Sequence, residues 1–295
     1  MTKKNNNKIL VPIDFSEQSL IALGQSYNLA REYNAEILLL YVIEEKGSIA
    51  SLLFYSQKQF DNIKKDIQKK LNKIAEDIEK ENKISVDTMI AHGKPYEKII
   101  EVASMIDALM IIMGHNSCTE LKARFIGSNA LRVIREVTHP VITIQGKHHY
   151  DGCKNIVLPL DLTKETRDKV HHALEIAKLG INKAAIRVVS ILPSYDEFVV
   201  NRLTRQLEQV KAYIQKQDVE CTAEIIKIMK GEETPAHCII DYAHKVDGDL
   251  IIVMTQQEFD FTRYFIGSTA QEIINNSDIP VMSIIPDIRK YKSVE

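Results

Sequence analysis

The chain repeats itself, and that limits what it can fold into more than any other feature. Residues 8–20, KILVPIDFSEQSL, are answered by residues 154–166, KNIVLPLDLTKET, so that Asp14 matches Asp161 at a separation of 147. Residues 93–103, GKPYEKIIEVA, are answered by 232–243, EETPAHCIIDYA, with Pro95 matching Pro235. Residues 124–144, RFIGSNALRVIREVTHPVITI, are answered by 264–284, YFIGSTAQEIINNSDIPVMSI, where Gly127 and Gly267 are 140 apart. Three landmarks in the same order define two homologous halves, the second having a net loss of 7 residues between the first and last landmarks. A period this long is domain-sized, well above the ~20–50 residues of solenoid repeats, so each half must bury its own core. We place the domains at 1–146 and 153–295, with a linker around QGKHHYDGCK (145–154).

Each half alternates short apolar runs with helical patterns. In the first, KILVPID, AEILLLYVI, ISVDTMIAHG, ALMIIMG and PVITI predict five strands. The unbroken apolar character of AEILLLYVI suits a strand covered on both faces. Ser16 is placed to cap a helix whose buried face would carry Leu20, Leu23, Tyr27 and Ala30. A long helix follows, with Phe60, Ile63, Ile67, Leu71, Ile74 and Ile78 at spacings of three and four. Pro95 suits the first turn of the next helix. The second half repeats the plan with NIVLPLD, AAIRVVSIL, CTAEIIKIM, DLIIVM and PVMSI, and with Leu203, Leu207, Val210 and Ile214 on its long helix. Strand–helix alternation with continuously apolar strands predicts a doubly wound α/β fold, a parallel sheet with helices on both faces, in each half.

Composition excludes several classes. The 295 residues are 45% hydrophobic and 26% charged, with a net charge of −2, which gives no electrostatic reason to expect nucleic acid or an anionic membrane. The opening MTKKNNNK has no apolar signal core, and no apolar run is long enough to span a bilayer. The cysteines, Cys118, Cys153, Cys221 and Cys238, are scattered without a C-x-x-C pair. Reduced thiols in a cytoplasmic protein are the expectation. His171 and His172 point to different sides of a helix, and His237 and His244 are too far apart for one-turn chelation, so no metal site is expected.

In an open parallel sheet, ligands bind beyond the carboxyl ends of the strands, where the strand order reverses. Two loops of the first half have that position: Pro12-Ile13-Asp14 after strand one, and the stretch from Gly114 to Ser128 after strand four. Gly114 would let backbone N–H groups approach an anion, and Gly127-Ser128 would open a helix whose first N–H groups are unpaired. Ser117 and Ser128 add hydroxyls, and Arg124 could donate to a phosphate. His115 and Asn116 read as exposed loop residues within reach of phosphate. Asp14 would accept from an exocyclic amine or a ribose. The plain alternative is a strand-to-helix connection in which these residues satisfy turn and cap geometry. For Asp161, a capping role is the better reading.

The spacing Gly114-x2-Ser117-x9-Gly127-Ser128, with an Asp closing strand one and a Pro-Val before the last strand, resembles the universal stress protein family (UspA-type), twice over along nearly the whole chain. The ATP-binding branch of that family has Gly-x2-Gly-x9-Gly-Ser/Thr, and Ser117 stands here for the second glycine. The resemblance implies two tandem five-stranded domains of the adenine nucleotide alpha hydrolase-like type, strand order 3-2-1-4-5, paired about a pseudo-twofold axis through strand five. It implies ATP or AMP, with Mg2+ accompanying a triphosphate. Asp14 and the backbone near Val42 would border adenine and the glycine loop would hold the phosphates, which makes Pro12, Ile13, Asp14, Val42, Met113, Gly114, His115, Ser117, Arg124, Gly127, Ser128 and Asn129 the candidate nucleotide-binding residues.

The second half departs from the motif, with Met254 and Gln257 in the register of Gly114 and Ser117. Nucleotide is therefore expected in the first half, with little or none in the second. Two readings of function stay open. One is a non-catalytic or slowly hydrolysing nucleotide-binding protein of stress response or signalling, acting through a protein partner. The other is a nucleotide-free interaction scaffold with a dimer-like build, compatible with a further homodimer. A true phosphoryl-transfer enzyme ranks last, because no G-x-x-x-x-G-K-[ST] loop occurs and no general base adjoins the glycine loop.

Overall fold

The computed structural model describes residues 7–44, 57–115, 128–146, 153–161, 166–192, 196–229, 233–257 and 264–285. The first half runs β1 (Lys8–Pro12), α1 (Glu17–Glu32), β2 (Glu36–Ile43), α2 (Gln57–Asn82), β3 (Val86–His92), α3 (Pro95–Met105), β4 (Met110–Gly114), α4 (Ser128–Glu136) and β5 (Val141–Ile144). The second runs β6 (Asn155–Pro159), α5 (Thr166–Leu179), β7 (Ala185–Leu192), α6 (Glu197–Gln215), β8 (Cys221–Lys227), α7 (Pro235–Lys245) and β9 (Leu250–Met254). A two-strand ribbon, β10 (Gln256–Gln257) with β11 (Tyr264–Phe265), then precedes α8 (Ser268–Asn276) and β12 (Val281–Ile284).

Ten of these strands form one sheet in the order β3-β2-β1-β4-β5-β12-β9-β6-β7-β8. Read inward from either outer edge, each half has its third, second, first, fourth and fifth strands in the order 3-2-1-4-5. Within this sheet every pair inside a half is parallel. The two fifth strands pair antiparallel, with Val281 opposite Thr143 and Met282 opposite Ile142. Antiparallel pairing of equivalent strands is what twofold symmetry between the halves requires. It also covers two edges that would otherwise present open N–H and C=O groups.

Strand residues alternate between the two faces of this sheet. Ile9, Val11, Ile37, Leu39, Met110 and Ile112 join Leu23, Ala30, Leu71 and Ile78 of α1 and α2 on one side. Leu10, Leu38, Leu40, Ile111 and Met113 join Ile99, Val102, Val133 and Ile134 of α3 and α4 on the other. Each layer continues across the seam into the second half, through Ile156, Leu158, Val170 and Leu207 on the first side and Val157, Ile239, Ile251 and Ile273 on the second.

Two helix faces differ from the sequence expectation. Leu20 is 43% exposed, and the buried face of α1 is instead Ala22, Leu23, Ser26, Leu29 and Ala30. On α2 the packed stripe is Ile67, Leu71, Ala75 and Ile78, while Ile63 is exposed. The side chain of Phe60 is outside the described residues.

Candidate functional site

The carboxyl ends of β1, β2 and β4 border a cavity of about 480 Å3. The chain leaves β1 at Pro12 and is held against β2 by the Ile13 N–H donating to the Leu40 carbonyl at 2.8 Å. Asp14 then turns the chain, its Oδ1 accepting from the Ser16 N–H at 2.9 Å. This is an Asx turn, the local bond that short carboxylates form with backbone two residues on. Phe15, between them, sits at φ 63°, a left-handed conformation that costs a bulky residue about 1–2 kcal/mol. Its ring stacks on Tyr41, centroids 5.1 Å apart, with the Lys70 ammonium 5.5 Å from the ring centre. Ser16 caps α1 as expected, accepting from the Ser19 N–H at 3.3 Å.

Asp14 therefore lines the cavity with its carboxylate held by the turn. Burial pushes its carboxyl up, but hydrogen bonds from Ser16, through hydroxyl and N–H, and from Ser19 outweigh that and hold it below the usual range. A group so held is a charged acceptor at neutral pH.

Of the twelve residues marked in the sequence, Pro12, Ile13, Asp14, Val42, Met113, Gly114, His115 and Asn129 line this cavity. Ser117, Arg124 and Gly127 lie outside the described residues, as does the side chain of Ser128, which opens α4. Asn129 and Ala130 bring the first turn of α4 to the cavity wall. Ser19, Tyr41, Glu44, Pro95 and Ile99 also line it and were not marked as site residues. Glu44 and Tyr41 had a legible signal, because they sit at the carboxyl end of the second strand, where the Asp14 argument already pointed.

Two of the marked residues need correction. His115 is not an exposed loop residue: it is 2% exposed and reaches across the seam, with Nε2 2.9 Å from the Ile274 carbonyl of α8. A carbonyl only accepts, so Nε2 carries the proton in this contact. Gly114 has a packing reason that the sequence did not reveal. A Cβ there would lie 2.3 Å from the carbonyl oxygen of Gln18 in the first turn of α1. The following N–H, that of His115, donates to the Ile144 carbonyl at 3.1 Å. The glycine thus admits a helix backbone on one side while bordering the cavity on the other.

The second half has a matching cavity of about 400 Å3 at the carboxyl ends of β6, β7 and β9. The ladders fix the register, since Ile9 pairs with Met110 as Ile156 pairs with Leu250. Met254, 6% exposed, occupies the register of Gly114. Asp161 lines the cavity as Asp14 does, and its carboxylate meets the Lys169 ammonium at 3.3 Å; the turn that it would cap, residues 162–165, lies outside the described residues.

The family model of the universal stress protein family matches residues 5–145 and again 152–284. The chain belongs to the universal stress protein family. Universal stress protein MJ0577 of Methanocaldococcus jannaschii is 33% identical over 155 residues, covering 48% of this chain and 96% of that protein. Universal stress protein E of Escherichia coli is 24% identical over 217 residues, covering 68% of this chain and 67% of its own length. Among solved structures, a universal stress protein from Archaeoglobus fulgidus superposes with a TM-score of 0.74 at 18% identity, covering 96% of this chain and 98% of that one, a likeness of fold. Both halves are thus universal stress domains in tandem. Among the described residues no helix is long and apolar enough to cross a membrane, and no group of three or more His, Cys, Asp or Glu could hold a metal ion.

Proposed function

We propose that the first half binds an adenine nucleotide, ATP or AMP, and that the chain acts as a nucleotide-responsive binding protein of stress response or signalling, with at most slow hydrolysis. The observation that carries this reading is Asp14: a carboxylate held charged at the wall of a cavity, where it can accept from an exocyclic amine or a ribose hydroxyl. The cavity volume lies within the ~300–1,000 Å3 of small-molecule sites. Leu40, Val42, Ile99 and Met113 give it apolar walls for a base, and Asn129 and the first turn of α4 give donors for phosphate. Mg2+ brought with a triphosphate would keep most of its ligands as phosphate oxygens and water, with Asp14 and Glu44 the described carboxylates lining the cavity.

Calorimetric titration of the full chain with ATP and AMP tests this. One nucleotide per chain is expected, with Asp14→Ala weakening binding about tenfold, or about 1.4 kcal/mol, and Asp161→Ala leaving it unchanged. Equal occupancy of both halves, or occupancy of the second alone, would sink the reading. A second reading, a nucleotide-free scaffold, is favoured by Gly114, whose missing side chain is accounted for by α1 alone. It predicts no binding of ATP, ADP or AMP at millimolar concentration, and no small molecule in the mass spectrum of the purified chain.

A further inference from the structure

The helix α5 holds a residue that does not belong in its position. In the register that matches Asp14 to Asp161, Lys169 corresponds to Ala22, which is fully buried between α1 and the sheet. The residues around it keep their character: Leu23 and Val170 are both buried, as are Ala30 and Ala177. Only Lys169 converts a packed methyl into a long cation. Its side chain is 13% exposed and lines the second cavity together with Asp161.

Burying an ammonium is costly unless it is paired and hydrogen-bonded. Asp161 Oδ1, at 3.3 Å, is a long contact, and the Asp161 side chain is itself 47% exposed. An ammonium has three donors, and among the described residues this contact engages one. The cavity has an apolar wall of Val189, Ile191, Ile239, Met254 and Ile273, and Ser268 and Thr269 in the first turn of α8 add a polar one. The pairing also changes what Asp161 can do. Its first-half counterpart is a charged acceptor facing the cavity, whereas Asp161 is engaged by a cation. A ligand entering here meets an ammonium beside the carboxylate, where the first half has an alanine in the register of that lysine.

We propose that the second half carries a binding site of its own, for a small organic anion with an apolar body and one carboxylate or phosphate head. Lys169 anchors the head, the aliphatic walls take the body, and Met254 shapes the floor where the first half has Gly114. The two halves then bind different chemistry. This site stands on the second half alone and does not depend on nucleotide binding in the first.

The probe is 8-anilinonaphthalene-1-sulfonate, an apolar body with one anionic head, titrated by fluorescence into the full chain. One saturable site is expected. Lys169→Met should weaken it at least tenfold, and Lys169→Arg should keep it within about threefold. Asp161→Asn frees the ammonium from its competitor and should tighten binding, a change of opposite sign that no loss of folding can mimic. Decanoate and decyl phosphate distinguish the two heads, and displacement by either supports the site. Unchanged affinity in Lys169→Met with weaker binding in Asp161→Asn, displacement by neither competitor, or displacement of the probe from this site by ATP overturns the proposal.

Discussion

The two halves share a strand order, a register and a cavity in the same place, yet the cavities differ in charge: the first is lined by carboxylates, the second by a carboxylate paired with an ammonium. The first presents Asp14, held charged by Ser16 and Ser19. The second presents Asp161 bound to Lys169, with Met254 where the first has Gly114. A fold of this kind keeps its core by conserving alternation along strands and leaves the strand ends open to change. A single helix position, alanine in one half and lysine in the other, changes the charge that the cavity wall presents.

The largest expected break of this comparison is at the glycine. Gly114→Ala drives a Cβ into the backbone of α1, and backbone has no rotamer with which to yield. Urea unfolding should show a loss of about 3 kcal/mol. Met254→Leu, at the matching position, conserves volume and should cost less than about 1.5 kcal/mol. Equal losses would mean that α1 does not rest on Gly114.

The next effect depends on pH. Asp249 of the second half stands in the register of Leu109, and its carboxylate accepts from the N–H groups of Lys154 and Asn155 at 2.6 and 3.1 Å. Burial raises it to about 6, against an ordinary 3.8, although those N–H bonds pull the other way. A raised carboxyl pKa means that the folded chain holds the proton more tightly than the unfolded one. The group therefore penalises folding above about pH 6, and the penalty fades as pH falls toward 4. Relative to Asp249→Asn, the unmodified chain should gain about 2 kcal/mol between pH 7 and pH 4.5 in parallel urea titrations. A pH-independent difference between the two would remove Asp249 as the source.

A smaller contrast lies at the seam. His115→Leu leaves the buried Ile274 carbonyl without its cross-seam donor and should cost about 2 kcal/mol. Thr255, the counterpart of His115, donates its hydroxyl to the Ile284 carbonyl within its own half at 3.2 Å. Thr255→Val should cost about 1 kcal/mol. Unfolding of the two halves should separate in the first variant and stay joined in the second, as read by differential scanning calorimetry.

Much of this was legible beforehand. The repeat, the strands, the Ser16 cap and the Pro95 helix start all follow from local pattern, because period and capping chemistry are local properties. Strand order and strand-five pairing came from the family resemblance and are what the sheet shows. The site was legible where it follows a strand end, as with Pro12, Ile13 and Asp14. Leu20 and Ile63 read as buried because they continue a stripe, but a stripe does not tell how far the sheet extends beneath it. His115 read as a loop residue because nothing nearby in sequence indicates a partner 159 positions away.

By itself the sequence determined that there are two α/β units, where each strand ends, and that the halves differ at Gly114 and Met254. Tertiary structure alone decided why. Whether a glycine admits a ligand or a helix depends on which backbone comes within 2.3 Å of it. Whether a lysine on a helix meets water or a cavity depends on which face the sheet covers. Both are distances between segments far apart in the chain, set when the helices settle on the ten-stranded sheet, and local pattern carries no record of them.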